Sequence, residues 1–227
     1  MSVFGDRNDR NLRHHIAAAM ELLLPRSCVG CGAAYTPECG VLCRNCQQQW
    51  RAVPQRISTR VDPLVPLWSL GVLGGVRRQT IINLKEHHRR DVIPAIGAVV
   101  AAAVAYLQAR GDIDPEIVLV PAPTKPSAAR NRGGDVVAAV CQASGIPVTE
   151  IVHTAESARE SVGLSAIERK HNLSGAVRVD MKAVKNLTGH VLLIDDVATT
   201  GATISATVMA LTCAGIKVRG ALTWAHA

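Results

Sequence analysis

Two aspartates and a run of small hydroxyl-bearing residues carry the densest chemistry in this chain. Asp195 and Asp196 follow four apolar residues, Val191 to Ile194, and precede Val197-Ala198-Thr199-Thr200-Gly201-Ala202-Thr203. Ionised carboxylates only accept hydrogen bonds, so the pair suits the O–H donors of a sugar diol. A tight turn that feeds a helix offers backbone N–H groups and a positive dipole end, which suit a phosphate. The threonine hydroxyls can donate to the same oxygens, and Gly201 lets a ligand approach the backbone closely. Diol and phosphate at this separation describe a ribose 5-phosphate. Asp195 and Asp196 are the candidate catalytic pair, and residues 197–203 the candidate phosphate loop. Paired aspartates also cap helices or bind metal in receiver domains, but neither role calls for Thr-Thr-Gly-x-Thr after the acids.

A second chemical group lies near the start. Cys28-Val-Gly-Cys31 and Cys43-Arg-Asn-Cys46 are two CxxC units separated by eleven residues. Two such knuckles place four soft thiolates around a tetrahedron, the arrangement zinc prefers. With four protein ligands the ion has no open position, so the expected role is structural. Cys39 is a spare cysteine nearby, and Cys141 and Cys213 read as packing residues on apolar helix faces.

These groups need elements to hold them. Val191 to Ile194 reads as a buried parallel strand, too short for a helix, with the aspartates where it leaves the sheet. An apolar helix should follow, up to about Cys213. Further strands are expected at 65–72, 117–120, 147–152, 176–179 and 217–223. Leu12, Ile16, Ala19, Met20, Leu23 and Leu24 share one helical face, and Pro25 ends that helix. Val76 to Arg90 reads as a helix whose outer face carries Arg77, Arg78, Lys85, Arg89 and Arg90 against the single acid Glu86. That face is the candidate contact for a nucleic-acid backbone, or else a solvated surface. The expected architecture is α/β, an open parallel sheet with its ligand in the crevice beyond the strand ends, plus a small Cys₄ zinc module. The division expected is a tail at 1–10, a helix and zinc module at 11–50, a connector and hood-like segment at 51–115, and the sheet domain at 116–227.

Composition sets outer bounds. The 227 residues suffice for one α/β domain with a small appended module, and 48% apolar content suffices for a core. Aromatics are only 3%, so Ala, Val, Leu and Ile must fill that core. A formal charge of +7 favours polyanionic ligands. From the charged start no secretory signal is expected, and Val92 to Gln108 falls short of the ~20 residues of a bilayer span. No membrane span and a cytoplasmic location are expected, and with them cysteines that serve as thiols or ligands rather than disulfides.

The stretch VLLIDDVATTGAT resembles the phosphoribosyl-pyrophosphate (PRPP) signature of type I phosphoribosyltransferases at every position. Together with LLLPRSCVGC, LCRNC, INLKEHHRRD, VLVPAPTK and VGLSAIERKHNLSGAV, it makes the chain similar to the ComF family from about Leu22 to Thr223. The chain departs from the family at Gly133-Gly134-Asp135-Val136, where members often carry Gly-Phe-Asn-Gln. The resemblance implies a type I phosphoribosyltransferase-like domain with an amino-terminal zinc finger. It implies Mg²⁺ bound with PRPP and transfer of the phosphoribosyl group to an acceptor. Lys125 and Arg130, after the first strand of that domain, would contact pyrophosphate. Arg159, Arg169 and Lys170, in the long segment His153 to Ser174 where such enzymes carry a mobile loop, would cap the pyrophosphate. In some members the family serves DNA uptake in natural transformation, so the second expectation is a single-stranded-DNA adaptor of the competence machinery with a non-catalytic PRPP-type loop. Only Trp50, Trp68 and Trp224 offer substantial base-stacking surfaces.

Overall fold

The computed structural model describes residues 27–34, 40–154, 177–185 and 187–227. The expected tail, the helix at 11–24, Cys39, and the segment with Arg159, Arg169 and Lys170 lie outside them. Within the described residues the chain is α/β, a mixed five-stranded sheet flanked by helices, with four clustered cysteines near the amino terminus.

In chain order the elements are α1 (Arg44–Trp50), β1 (Gln55–Arg56), β2 (Leu67–Ser69), α2 (Gly75–Glu86), α3 (Ile93–Ala109), β3 (Ile117–Pro121), α4 (Pro126–Asn131) and α5 (Val136–Ala143). Then come β4 (Val152–Thr154), β5 (Val177–Val179), α6 (Met181–Val184), β6 (His190–Ala198), α7 (Ala202–Cys213) and β7 (Val218–His226). The sheet order is β1-β2-β7-β6-β3. The β2–β7, β7–β6 and β6–β3 pairs are parallel, as expected, but β1 joins the edge antiparallel. β4 and β5 form a separate antiparallel pair.

Residues of β6 and β7 pack on both faces of the sheet, as the alternation of a strand requires. Leu192, Ile194, Leu222 and Trp224 belong to a core with α2, α3, α5 and the cysteine module. Val191, Leu193 and Ala221 belong to a second core with α7 and the β4–β5 pair. The module contributes Cys28, Val29, Leu42, Cys46 and Trp50 to the first core. It is therefore packed into the domain, not hung from it.

Two differences from the sequence reading bear on the site. The strand expected to stop at Ile194 continues to Ala198: β3 pairing ends at Pro121↔Ile194, while β7 pairing carries on through Asp195↔Thr223 to Ala198↔His226. The basic helix expected to run to Arg90 stops at Glu86. His88 takes φ 54°, a left-handed conformation that ends an α-helix, and Arg90–Val92 forms a 3₁₀ turn into α3. That turn lengthens the helical run: Arg90–Ala109 makes 20 helical residues, and an 18-residue stretch of it has mean hydropathy 2.0, long and apolar enough to cross a bilayer. Here Ile96, Val100, Ala103, Val104 and Leu107 of this run are spent in the core.

Candidate functional site

The sulfurs of Cys28, Cys31, Cys43 and Cys46 lie within 4.8 Å of one another. Those of Cys31 and Cys43 are 3.8 Å apart. Tetrahedral zinc with bonds of ~2.3 Å sets its sulfurs roughly 3.8 Å apart, so the donor set fits such an ion. A tight turn shapes the first knuckle, with the Gly32 N–H donating to Cys28 O at 2.8 Å, and the second knuckle opens α1. Burial alone would raise the Cys28 thiol, but the N–H groups of Cys43, Cys31 and Gly30 draw it down to about 6. Cys46 moves the other way, pushed up by burial first and by the sulfurs of Cys43, Cys28 and Cys31. Four thiolates this close need a cation to ionise together. The cluster can hold a metal such as zinc.

At the other site, β6 carries its two carboxylates past the end of β3. The Ala122 N–H closes the last β3 contact on Ile194 O at 2.7 Å. Beyond it come Asp195 and Asp196, both half-buried. Asp195 Oδ1 accepts the Asp196 N–H at 2.8 Å. The Asp195 carboxyl is pushed up to about 7: burial is the largest cause, the charge of Asp196 the next, and Asp135 adds to it. The Asp196 N–H and Lys85 act in the opposite direction. Lys85 reaches in from α2 and forms an ion pair with Asp196, the two side chains being 20% and 15% exposed.

The turn after β6 is built against the connector. Gly201 has φ 82° and is buried, and a Cβ there would lie 2.3 Å from Thr59 Oγ1 and 2.6 Å from Val61 O. The Val61 N–H donates to Thr200 O at 2.9 Å, and Thr59 Oγ1 donates to Val61 O at 2.7 Å. What approaches Gly201 most closely is thus the chain itself. Thr199, Ala202 and Thr203 remain exposed at the start of α7, whose first N–H groups have no carbonyl a turn earlier. Thr200 Oγ1 accepts one of them, from Ala202, at 3.3 Å. Val197 and Ala198, expected in the phosphate loop, are strand residues whose side chains pack into the two cores. The usable turn begins at Thr199.

Lys125 is the exposed N-cap residue of α4, and Arg130 is exposed on the same helix. Both follow β3, the strand beside β6, and Gly133 and Gly134 separate α4 from α5. Asp135, one of the residues that departs from the family pattern, caps α5 by accepting the N–H groups of Val137 and Ala138 at 2.8 and 3.1 Å.

Most of the basic residues on α2 and just after it are bonded within the fold. Arg77 is half-buried over the Trp50 ring, 5.0 Å from its centroid, and donates to Gln49 O at 3.1 Å. Lys85 pairs with Asp196; Arg89 holds Asp91 and Ser27 O; Arg90 donates to Arg132 O at 3.2 Å. Arg78 is exposed. Trp50, Trp68 and Trp224 are 1%, 5% and 0% exposed, so none offers a face to a base. Cys141 is buried as expected, whereas Cys213 is exposed.

Sequence reasoning missed three features of the site: the Lys85–Asp196 pair, the Thr59–Val61 segment against Gly201, and the charge of Asp135 beside Asp195. No local motif signals them, because each joins segments far apart in the chain. No protein-family model matches the chain, and no curated protein matches it.

Proposed function

We propose that this chain binds a ribose phosphate of the PRPP kind at the carboxyl end of β6, as a type I phosphoribosyltransferase-like protein of the ComF kind. One observation carries the reading: two half-buried carboxylates extend past the neighbouring strand, and their own strand then ends in a left-handed glycine turn into the exposed start of a helix. The acids supply acceptors for the ribose hydroxyls, and Thr199 to Thr203 supply donors for the 5-phosphate. In phosphoribosyl transfer the bond from the anomeric carbon to pyrophosphate breaks, the leaving group keeps the electron pair, and an acceptor nitrogen forms the new bond. Mg²⁺ bound with PRPP would neutralise charge on the leaving oxygens. The cysteine cluster, read as a closed zinc site, holds α1 against α2 and takes no part in that chemistry.

The single-stranded-DNA reading has less behind it. The arginines meant to follow a phosphate backbone are largely bonded within the fold, and the tryptophans meant to stack bases are buried.

Thermal shift with Mg·PRPP tests the proposal. At ligand a hundredfold above its dissociation constant, linkage gives about 2.7 kcal/mol. For a chain of this length that is a rise in Tm of roughly 5–10 °C. Asp195→Asn combined with Asp196→Asn should abolish most of the rise, while a smaller rise with inorganic phosphate should survive. No shift of the wild-type protein at millimolar Mg·PRPP would refute the reading.

A further inference from the structure

Lys85 does something that its place on a basic helix does not explain. Its ammonium pairs with Asp196, in a neighbourhood that also holds Asp195 and Asp135. The helix that delivers it is pinned from behind. Thr80 accepts the Trp50 indole N–H at 3.2 Å, Asn83 Nδ2 donates to Val29 O at 2.7 Å, and Arg77 lies over Trp50. The cysteine module therefore fixes the backbone of α2, while the lysine stem keeps four rotatable bonds and can move its charge by a few ångströms.

Resting on the ribose-phosphate reading, we propose that Lys85 is a ligand-binding residue that selects sugars carrying an anion at the anomeric carbon. In the free protein its ammonium neutralises Asp196. When a ribose diol donates its hydroxyls to that carboxylate, the ammonium needs another anionic acceptor, because leaving it unpaired in a half-buried site is costly. The 5-phosphate is bound at the Thr199–Thr203 turn and cannot serve. The substituent at the anomeric carbon adjoins the 2-hydroxyl and is the nearest anion left. Ribose 5-phosphate lacks that anion and must break the Lys85–Asp196 pair without replacing it; PRPP replaces it with a pyrophosphate oxygen. The selectivity is thus built from one salt bridge that exchanges partners.

Isothermal titration of the full chain with Mg·PRPP and, separately, with ribose 5-phosphate tests this. Wild type should bind Mg·PRPP more tightly than ribose 5-phosphate. Lys85→Met should weaken Mg·PRPP tenfold or more, the loss expected for one charge-assisted hydrogen bond, and leave ribose 5-phosphate unchanged or tighter. Lys85→Arg should retain most of the preference. Should Lys85→Met not fold, Lys85→Gln keeps a polar tip and carries the same comparison. Equal effects on the two ligands, or none on Mg·PRPP, would overturn the role of Lys85 while leaving the ribose-phosphate reading intact. A wild-type protein that binds neither ligand would overturn both.

Discussion

Trp50 donates its indole N–H to Thr80 Oγ1 at 3.2 Å, and both residues are buried. The bond joins the last residue of the cysteine module's helix to the middle of α2. Thr80 Oγ1 in turn donates to Val76 O, so a polar group at the centre of this packing is satisfied twice. The module and the helix that carries Lys85 are consequently one packing unit.

Metal removal should therefore reach further than the module. The purified protein should carry about one zinc per chain, and Cys43→Ser should lose it. In metal-free protein, hydrogen exchange should speed up in residues 40–50 and also in α2, because Val29 and Trp50 no longer hold Asn83, Arg77 and Thr80. Exchange of α2 unchanged by chelation would show that the module is a separable appendage.

Gly201 is constrained by the protein before any ligand arrives. Gly201→Ala meets both a positive φ and the Thr59–Val61 segment, whereas Gly215→Ala meets a similar φ of 79° with nothing within 4 Å. Both variants should lose the ~1–2 kcal/mol of a left-handed residue. Gly201→Ala should lose about 1–3 kcal/mol more from overpacking, readable from denaturant midpoints. Equal destabilisation would mean that the segment yields. Larger side chains at 201 are unsuitable as probes of phosphate binding for the same reason.

The raised Asp195 carboxyl makes a pH prediction with a definite sign. Its folded pKa of about 7 lies above the ordinary carboxylate value near 3.9, so the folded state holds the proton more tightly. Its contribution to stability is greatest at acid pH, falls as pH rises through that window, and is flat above it. Burial first, then the charges of Asp196 and Asp135, push in this direction, and the Asp196 N–H and Lys85 push against it. Asp195→Asn keeps the acceptor for the Asp196 N–H and removes the titration. The Tm of the variant minus that of wild type should grow between pH 4 and 7 and then level off. A difference independent of pH would show that Asp195 is an ordinary carboxylate.

The arginines of α2 should divide by contact, not by charge. Arg77→Gln should cost about 0.5–2 kcal/mol, the range for a partly desolvated cation over an aromatic ring. Arg78→Gln should leave stability unchanged. It should also leave unchanged the salt slope of single-stranded oligonucleotide binding measured by anisotropy; a slope reduced by about 0.7 would instead count Arg78 as one phosphate contact.

Local pattern determined a good deal of this molecule. The apolar runs before Pro121 and before Asp195, with their turn residues, specify parallel strands because only short buried strands fit such runs between polar loops. The two CxxC units specify a four-sulfur cluster because knuckle spacing is a property of a few consecutive residues. The acids and the Thr-Thr-Gly-x-Thr turn likewise announce one strand–turn–helix. Tertiary structure alone decided where α2 lies across the sheet, and that reversed the meaning of its charges. On the sequence Lys85, Arg77 and Arg89 form an outward basic face; in the fold they meet Asp196, Trp50 and Ser27. It also decided that Thr59 and Val61 press on Gly201, and that β6 runs on to Ala198 because β7 extends beside it. Spacing along the chain records which residues share one element. Which residues meet across elements depends on how two cores close on both faces of the sheet, and no single segment carries that information.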